Sequence, residues 1–447
     1  MTVLRFRFEN HGSFRDEAEL SFVHPRLKTN RPMDGDWGSY SFSVAAIYGA
    51  NASGKTSVLD ALSYLRTLIA KSSTAWSDRK RIPRLPFALD SESGERASTF
   101  ALDIVIDGTR YEYGVSVLAT AVVGEWLFDY PSSRRRVLFE RGADRDSITF
   151  GRAVPGGAAL GRSVGKRELL LSRGALLDNE VLGPVWQRIV DGISVTKFGD
   201  NNRQSRLNSV MADVIDEELS LEDLRLLLKV ADVGIGGARV EEGEGDPEVE
   251  RLLRMLLAEN KKAPEPEGED DSLRERVRIA SRKIHFEHIG EGDQLYQLSM
   301  ARQSAGTLTW LSLAGPAVKA LRAGSLYAVD ELDASLHPQL ARVLIAMFRD
   351  ERINRHHAQL LFTTHDTFFL SPASGLDLQP GEVWFVEKNR VGRSELFSLD
   401  EFTVRSDDNF ARRYLQGRYG ATPTVAPSFM AALVGGVESA KQETEDW

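Results

Sequence analysis

The chain has 447 residues, of which 42% are hydrophobic and 27% charged, and its formal net charge is −9. That composition supports a buried core, and the acidic balance argues against coating nucleic acid by charge alone, because phosphate binding needs a basic footprint. The absence of cysteine removes disulfides, thiolate zinc sites and cysteine nucleophiles. The N-terminus alternates charged with apolar residues and no run of about 18 apolar residues occurs, so a cytoplasmic protein with no membrane span is expected.

In chain order, Val3 to Phe8 alternates as a strand, Glu9 to Phe14 reads as a turn, and Glu17 to Phe22 as a second strand. Val44 to Tyr48 is a short buried strand leading into a glycine loop, and Val58, Leu59, Leu62, Leu65, Leu68 and Ile69 then have helical spacing. From about Ala97 to Gly151 the alternation predicts an antiparallel sheet, with Asp107-Gly108 as a tight hairpin turn. From about Val164 to Ala231 the apolar spacing becomes helical. The stretch 261–271 carries prolines and acids with no large apolar residue, and an exposed, mobile loop is expected there. Leu326 to Val329, Leu360 to Thr363 and Val383 to Val386 are strands, with a helix from Pro338 to Arg349, the order of a parallel α/β core. Arg79-Lys80-Arg81 with Arg84, and Arg134-Arg135-Arg136, are compact basic clusters; a solvated surface accounts for them, with nucleic acid or an acidic partner as the alternative.

Gly49-x4-Gly54-Lys55-Thr56 satisfies the P-loop pattern with a strand before it and a helix after it. Gly49, Asn51, Ser53, Gly54, Lys55, Thr56 and Ser57 are the expected contacts to ATP. Backbone N–H groups surround the phosphates, Lys55 adds a cation and Thr56 offers its hydroxyl to Mg2+. At Leu326 to Glu331 an apolar strand ends in paired acids, a Walker B segment. Asp330 is the expected metal residue and Glu331 the residue that orients and activates water.

The run Leu332-Asp333-Ala334-Ser335-Leu336-His337-Pro338 resembles the D-loop of ABC-type ATPases. That resemblance implies that Asp333 contacts a second subunit, and that the segment before Walker B carries a signature acting in trans on the γ-phosphate. Ser304, Gly306 and Thr307 are assigned to it, with a helix from Leu308 to Leu321; an ordinary helix cap is the bland alternative for Ser304. His365, at the end of Leu360-Leu361-Phe362-Thr363-Thr364, resembles the switch histidine of the class, while His337 is read as a support for the loop. The catalytic set is therefore Glu331, His365 and Lys55. No glutamine occurs from Ser57 to Trp186, so the Q-loop of transporters is missing and their mechanics do not carry over.

With Tyr111-x-Tyr113, Pro86-Phe87, Trp384 to Lys388 and the tail Tyr414 to Pro423, the chain resembles the RloA/AbiL-like ATPases of bacterial abortive-infection systems, relatives of OLD and SMC proteins. The resemblance implies an ABC/SMC-type α/β P-loop ATPase head with an antiparallel β lobe and an inserted helical subdomain. The expected division is an N-terminal ATPase lobe at 1–160, a mainly helical insertion at 161–290 and a C-terminal ATPase lobe at 291–447. It further implies a homodimer, or a higher oligomer built from it, that uses ATP and Mg2+ to control a separate effector protein, a nuclease, in anti-phage defence. A DNA repair or recombination ATPase of the RecF/SMC type is the alternative, and would call for a basic stripe in the dimer groove. A fused metal-dependent nuclease domain has too little chain after His365 to hold it.

Overall fold

A computed structural model describes residues 1–422 except 30, 34, 78, 133, 144–146, 198–206, 211–212, 215–218, 232–233, 242–282, 300–301, 335 and 406–407. The acidic stretch 261–271, Met300 and Ala301, Ser335 and the tail from Pro423 lie outside the described residues.

Strands β1 (Thr2–Glu9) and β2 (Ala18–Ser21) form the expected hairpin, pairing Phe6 with Leu20. β3 (Val44–Tyr48) is buried along its whole length and enters the loop before the helix Lys55–Lys71. β4 (Ser98–Ile106), β5 (Thr109–Val117), β6 (Val122–Tyr130), β7 (Arg136–Arg141) and β8 (Thr149–Phe150) extend the hairpin into a seven-stranded antiparallel sheet. Asp107 and Gly108, between β4 and β5, both have positive φ (48° and 78°), as a two-residue hairpin turn of primed type requires.

Helices Gly157–Ser163, Leu170–Leu176 and Leu182–Asp191 follow. Then comes β9 (Ile193–Thr196), a strand inside the segment whose spacing predicts helix. Four residues are too few to display a period of two against the helical pattern around them, and pairing with a buried neighbour decides the outcome. The segment 161–290, expected to be mainly helical, departs again after the helix Leu221–Ala231: its β10 (Ile235–Glu241) and β11 (Lys283–Ile289) form a three-stranded antiparallel sheet with β12 (Leu295–Ser299), which lies in the segment assigned to the C-terminal lobe. Within β11, Ile284 and Phe286 alternate with Lys283, His285 and Glu287, and that alternation was the available signal.

The helix Ala305–Ala323 leads through Gly324 (φ 62°) into β13 (Leu326–Val329), and the helix Pro338–Arg349 connects β13 to β14 (Gln359–Thr363). β15 (Val383–Lys388) and β16 (Ser394–Ser398) complete a six-stranded sheet of order β16-β15-β3-β14-β13-β9, in which only β16 runs antiparallel. A short helix, Phe410–Leu415, closes the described chain.

The parallel strands are continuous apolar runs because both faces are covered. Ala45, Ile47 and Leu361 face a core shared with Val58, Leu62 and Leu65 of the first helix and Phe6, Phe100 and Leu102 of the β lobe. Val44, Ala46, Leu360 and Phe362 face a second core with Trp310, Leu311, Leu344 and Phe348. Each fully buried large side chain contributes about 1.5–3 kcal/mol of transfer free energy, so both layers hold the sheet edge that carries the site. Buried Gln359 stitches lobe to sheet: its Oε1 accepts from the Val3 N–H at 2.7 Å, and its Nε2 donates to the carbonyls of Val3 (2.8 Å) and Phe42 (3.2 Å). Among the described residues no helix is long and apolar enough to cross a membrane.

Candidate nucleotide site

Parallel strands place their carboxyl ends on one edge of a sheet. β3 ends in the glycine loop, β13 in Asp330-Glu331 and β14 in Thr364-His365, with β14 lying between the other two. The loop is shaped by close approach. A Cβ on Gly49 would stand 2.4 Å from the Val386 carbonyl oxygen. Gly54 has φ 116°, and a Cβ there would meet the hydroxyls of Ser13 and Ser394 at 2.5 Å. Gly54 caps the helix without a side-chain bond and no acid occupies the first turn; the Ser57 N–H turns back to the Gly54 carbonyl at 3.0 Å, and the helix start ahead of it, at Lys55 and Thr56, suits an anion.

Lys55 is 6% exposed and its Nζ donates to the carbonyls of Gly49 (2.9 Å) and Ala50 (3.0 Å). Burial lowers its pKa, opposed by the charges of Glu331, Asp330 and Asp333. The Thr56 hydroxyl donates to Asp330 Oδ1 and Oδ2 at 3.2 and 3.1 Å. Ser53 is buried and its Oγ has no hydrogen-bond partner among the described residues, while Asn51 is exposed at the loop tip. Ser57 turns the other way, its Oγ accepting from Ser13 at 3.3 Å.

Glu331 is partly buried in a left-handed conformation (φ 49°), which costs a non-glycine residue on the order of 1 kcal/mol or more. Its N–H donates to Thr363 Oγ1 at 2.7 Å, and Thr363 Oγ1 donates to Asp330 Oδ1 at 2.7 Å. His365 is exposed by surface area yet partly desolvated by its surroundings, and this desolvation, followed by the charge of Lys55, lowers its pKa below the usual 6.5, against Asp333, Glu331 and Asp330. Its main-chain N–H reaches Asp333 Oδ2 at 3.4 Å, and Asp333 Oδ1 is buried without a partner among the described residues. His337 caps the helix Pro338–Arg349, its Nδ1 accepting from the Gln339 N–H at 3.2 Å.

Lys55, Thr56, Asp330, Glu331, Asp333 and His365 are thus brought together within one chain. Ser304, Gly306 and Thr307 are held apart in their own helix turn: Ser304 Oγ accepts from the Thr307 N–H at 3.1 Å and pairs with its hydroxyl at 2.8 Å. Sequence reasoning missed Thr363, Ser13 and Ser394. The only signal for Thr363 was a hydroxyl where a buried strand favours an aliphatic side chain.

A hard cation that keeps much of its water and binds through one or two carboxylates beside phosphate oxygens suits the pair Thr56 and Asp330, so the donor set fits Mg2+. The partnerless Ser53 hydroxyl, the uncapped helix start and the glycines packed against Val386, Ser13 and Ser394 fit a phosphate cradle.

The fold and these motif positions define an α/β P-loop nucleotide-binding protein with an antiparallel β lobe. A family profile described as "AAA domain, putative AbiEii toxin, Type IV TA system" matches residues 44–371, and the chain belongs to that family. No curated protein matches the chain. Among solved structures, the chain is similar to the SMC head domain from Thermotoga maritima, at 14% identity, TM-score 0.41, covering 90% of this chain and 100% of that one. It is also similar to an Smc head domain with an extended coiled coil bound to the C-terminal domain of ScpA, derived from Pyrococcus furiosus, at 14% identity and TM-score 0.40, covering 94% and 99%. An SMC head bound to the C-winged helix domain of ScpA gives 14% identity and TM-score 0.39, covering 89% and 97%. The fold rests on the strand order and motif positions of this chain.

Proposed function

We propose that the chain is a Mg2+-dependent ATPase that works as a head-to-tail pair of copies and serves as an ATP-controlled switch in anti-phage defence, acting through a separate effector protein, a nuclease. The observation that carries the ATPase reading is the convergence of Thr56 of the P-loop on Asp330 of Walker B, with Glu331 and His365 beside them. Lys55 and the first-turn N–H groups hold the phosphates, and Thr56 and Asp330 hold the metal. Held there, Mg2+ would supply positive charge against that of the transferring phosphoryl group. Glu331 orients a water for in-line attack on the γ-phosphorus and accepts its proton as the bond to the bridging oxygen breaks, giving ADP and phosphate. Neutral His365 donates a hydrogen bond to the γ-phosphate.

Helix geometry supports sharing of the site between two copies. The 19-residue helix Ala305–Ala323 is about 28 Å long, whereas β13 advances only about 13 Å before Asp330. Because the chain reverses at Gly324, Ser304 projects about 15 Å beyond the carboxylates of its own chain by the same rises, a position suited to the γ-phosphate of a partner. The defence reading is supported by the family description, which names an AbiEii toxin and a Type IV toxin–antitoxin system.

Phosphate release from ATP tests the enzymatic part: turnover that needs Mg2+ and is lost in Lys55→Ala supports it, and nucleotide binding without turnover by the wild type counts against it. Recovery of an effector from its native cells with ATP-locked Glu331→Gln, but not with Lys55→Ala, tests the switch. Recovery of DNA ends alone would favour the repair reading.

A further inference from the structure

We propose that Thr363 is a positioning residue of the hydrolytic site, whose hydroxyl holds Asp330 and Glu331 in the relative arrangement that metal binding and water activation need. The inference rests on the ATPase reading above and extends it to a residue that the motifs give no role. Thr363 is the last residue of β14 and is fully buried, on the face where Leu361 enters the apolar core. A hydroxyl buried there is unfavourable unless its bonding capacity is used, and it has one donor and two acceptor positions. Here both functions go to consecutive residues: it donates to Asp330 Oδ1 and accepts from the Glu331 N–H, each at 2.7 Å. Its main-chain carbonyl accepts from the Leu332 N–H at 3.0 Å. One residue therefore grips Asp330, Glu331 and Leu332.

The consequences follow from what each bond restrains. β13 and β14 are in parallel register up to Val329 opposite Phe362, and the chain leaves that ladder at Glu331 in a left-handed conformation that local preference does not favour. The Thr363 hydroxyl bonds the Glu331 N–H and so fixes where its carboxylate emerges. The same hydroxyl and Thr56 both donate to Asp330, so the carboxylate is oriented from two sides. Two further bonds extend the grip: the Thr364 N–H donates to the Ile47 carbonyl at 3.1 Å, and the His365 N–H reaches Asp333.

The test compares Thr363→Val, which keeps the shape and removes the hydroxyl, with Thr363→Ser, which keeps the hydroxyl. Affinity for a fluorescent ADP is titrated with and without Mg2+, and kcat and KM are measured for ATP. Outer-shell partners of metal sites are worth about 10- to 100-fold in metal affinity or activity. Thr363→Val is expected to bind nucleotide normally without metal, to lose about 10- to 100-fold of the affinity gained on adding Mg2+, and to lose kcat comparably with KM little changed. Thr363→Ser is expected to restore both. If Thr363→Val does not fold, as judged by thermal unfolding, Thr363→Ala makes the same comparison. Wild-type Mg2+ dependence and kcat in the hydroxyl-free variant would overturn the proposal while leaving the ATPase reading intact. If the wild type itself binds nucleotide without turnover, that reading fails, and the Mg2+ dependence of binding still decides the role of Thr363.

Discussion

The Thr56 hydroxyl donates to both carboxylate oxygens of Asp330, at 3.2 and 3.1 Å, joining positions 274 residues apart in sequence. This contact places a P-loop hydroxyl and a Walker B carboxylate where hard-cation chemistry needs them. Asp330→Asn keeps the shape, removes the charge and leaves Thr56 one amide oxygen to donate to in place of two carboxylate oxygens. Nucleotide binding without metal should survive, while Mg2+-dependent phosphate release should fall by about 100-fold or more, checked by titrating Mg2+ against rate. A variant with wild-type Mg2+ dependence would remove Asp330 from the metal site.

Gly54 offers a steric test of the loop. With φ at 116° and a Cβ that would stand 2.5 Å from the hydroxyls of Ser13 and Ser394, Gly54→Ala is strained in backbone and packing together. A loss of about 1–3 kcal/mol in stability is expected, with nucleotide affinity abolished. Gly94→Ala, where an added Cβ meets nothing within 4 Å, is the control and should change neither. Calorimetry of both variants with and without nucleotide separates the effects.

The ends of the buried strands were legible in sequence because their chemistry is local. Gly49 to Thr56, Asp330-Glu331 and His365 each follow an apolar run too short for a helix, and parallel strands bring such ends to one edge. β9 was hidden because Ile193–Thr196 gains its strand character from pairing with β13, not from its own period. Thr363, Ser13 and Ser394 were hidden because their roles lie in hydrogen bonds across 33 residues in one case and 381 in another. Ser304 caps its helix, as the alternative reading of the sequence had it; the signature role the sequence analysis assigned to it in trans depends on a second copy, which one chain cannot display.

His365 gives a pH dependence with a definite sign. Its pKa is depressed, by burial first and Lys55 second, so the neutral ring that donates to phosphate persists below the usual 6.5. Turnover should be flat through neutrality and decline only as pH falls below 6.5, and this acid limb should change in His365→Gln. A limb already developed above pH 6.5 would show that His365 is not the group responsible.

His11 sets a separate dependence, on stability. It is 3% exposed, lies 5.4 Å from the Tyr64 ring and 5.5 Å from Phe100, and neither ring nitrogen has a hydrogen-bond partner among the described residues. Burial lowers its pKa to about 4. Between 6.5 and about 4 the unfolded chain binds a proton that the folded chain does not, so this stability is complete above 6.5 and is lost as pH falls through that window. The loss amounts to about 3 kcal/mol at about 1.4 kcal/mol per pH unit. His11→Phe should remove it, flattening the denaturation midpoint between pH 4 and 6.5 as followed by circular dichroism. An unchanged slope in that variant would assign the effect elsewhere.

The sharing of one ATP between two copies is tested most directly by the mass of Glu331→Gln in solution. With Mg2+ and ATP the variant should bind without turnover and run as a particle of about twice the 49.7 kDa chain, returning to its nucleotide-free mass with ADP or with Ser304→Arg added. A Glu331→Gln protein that binds ATP and stays at the mass of one chain would contradict the shared site.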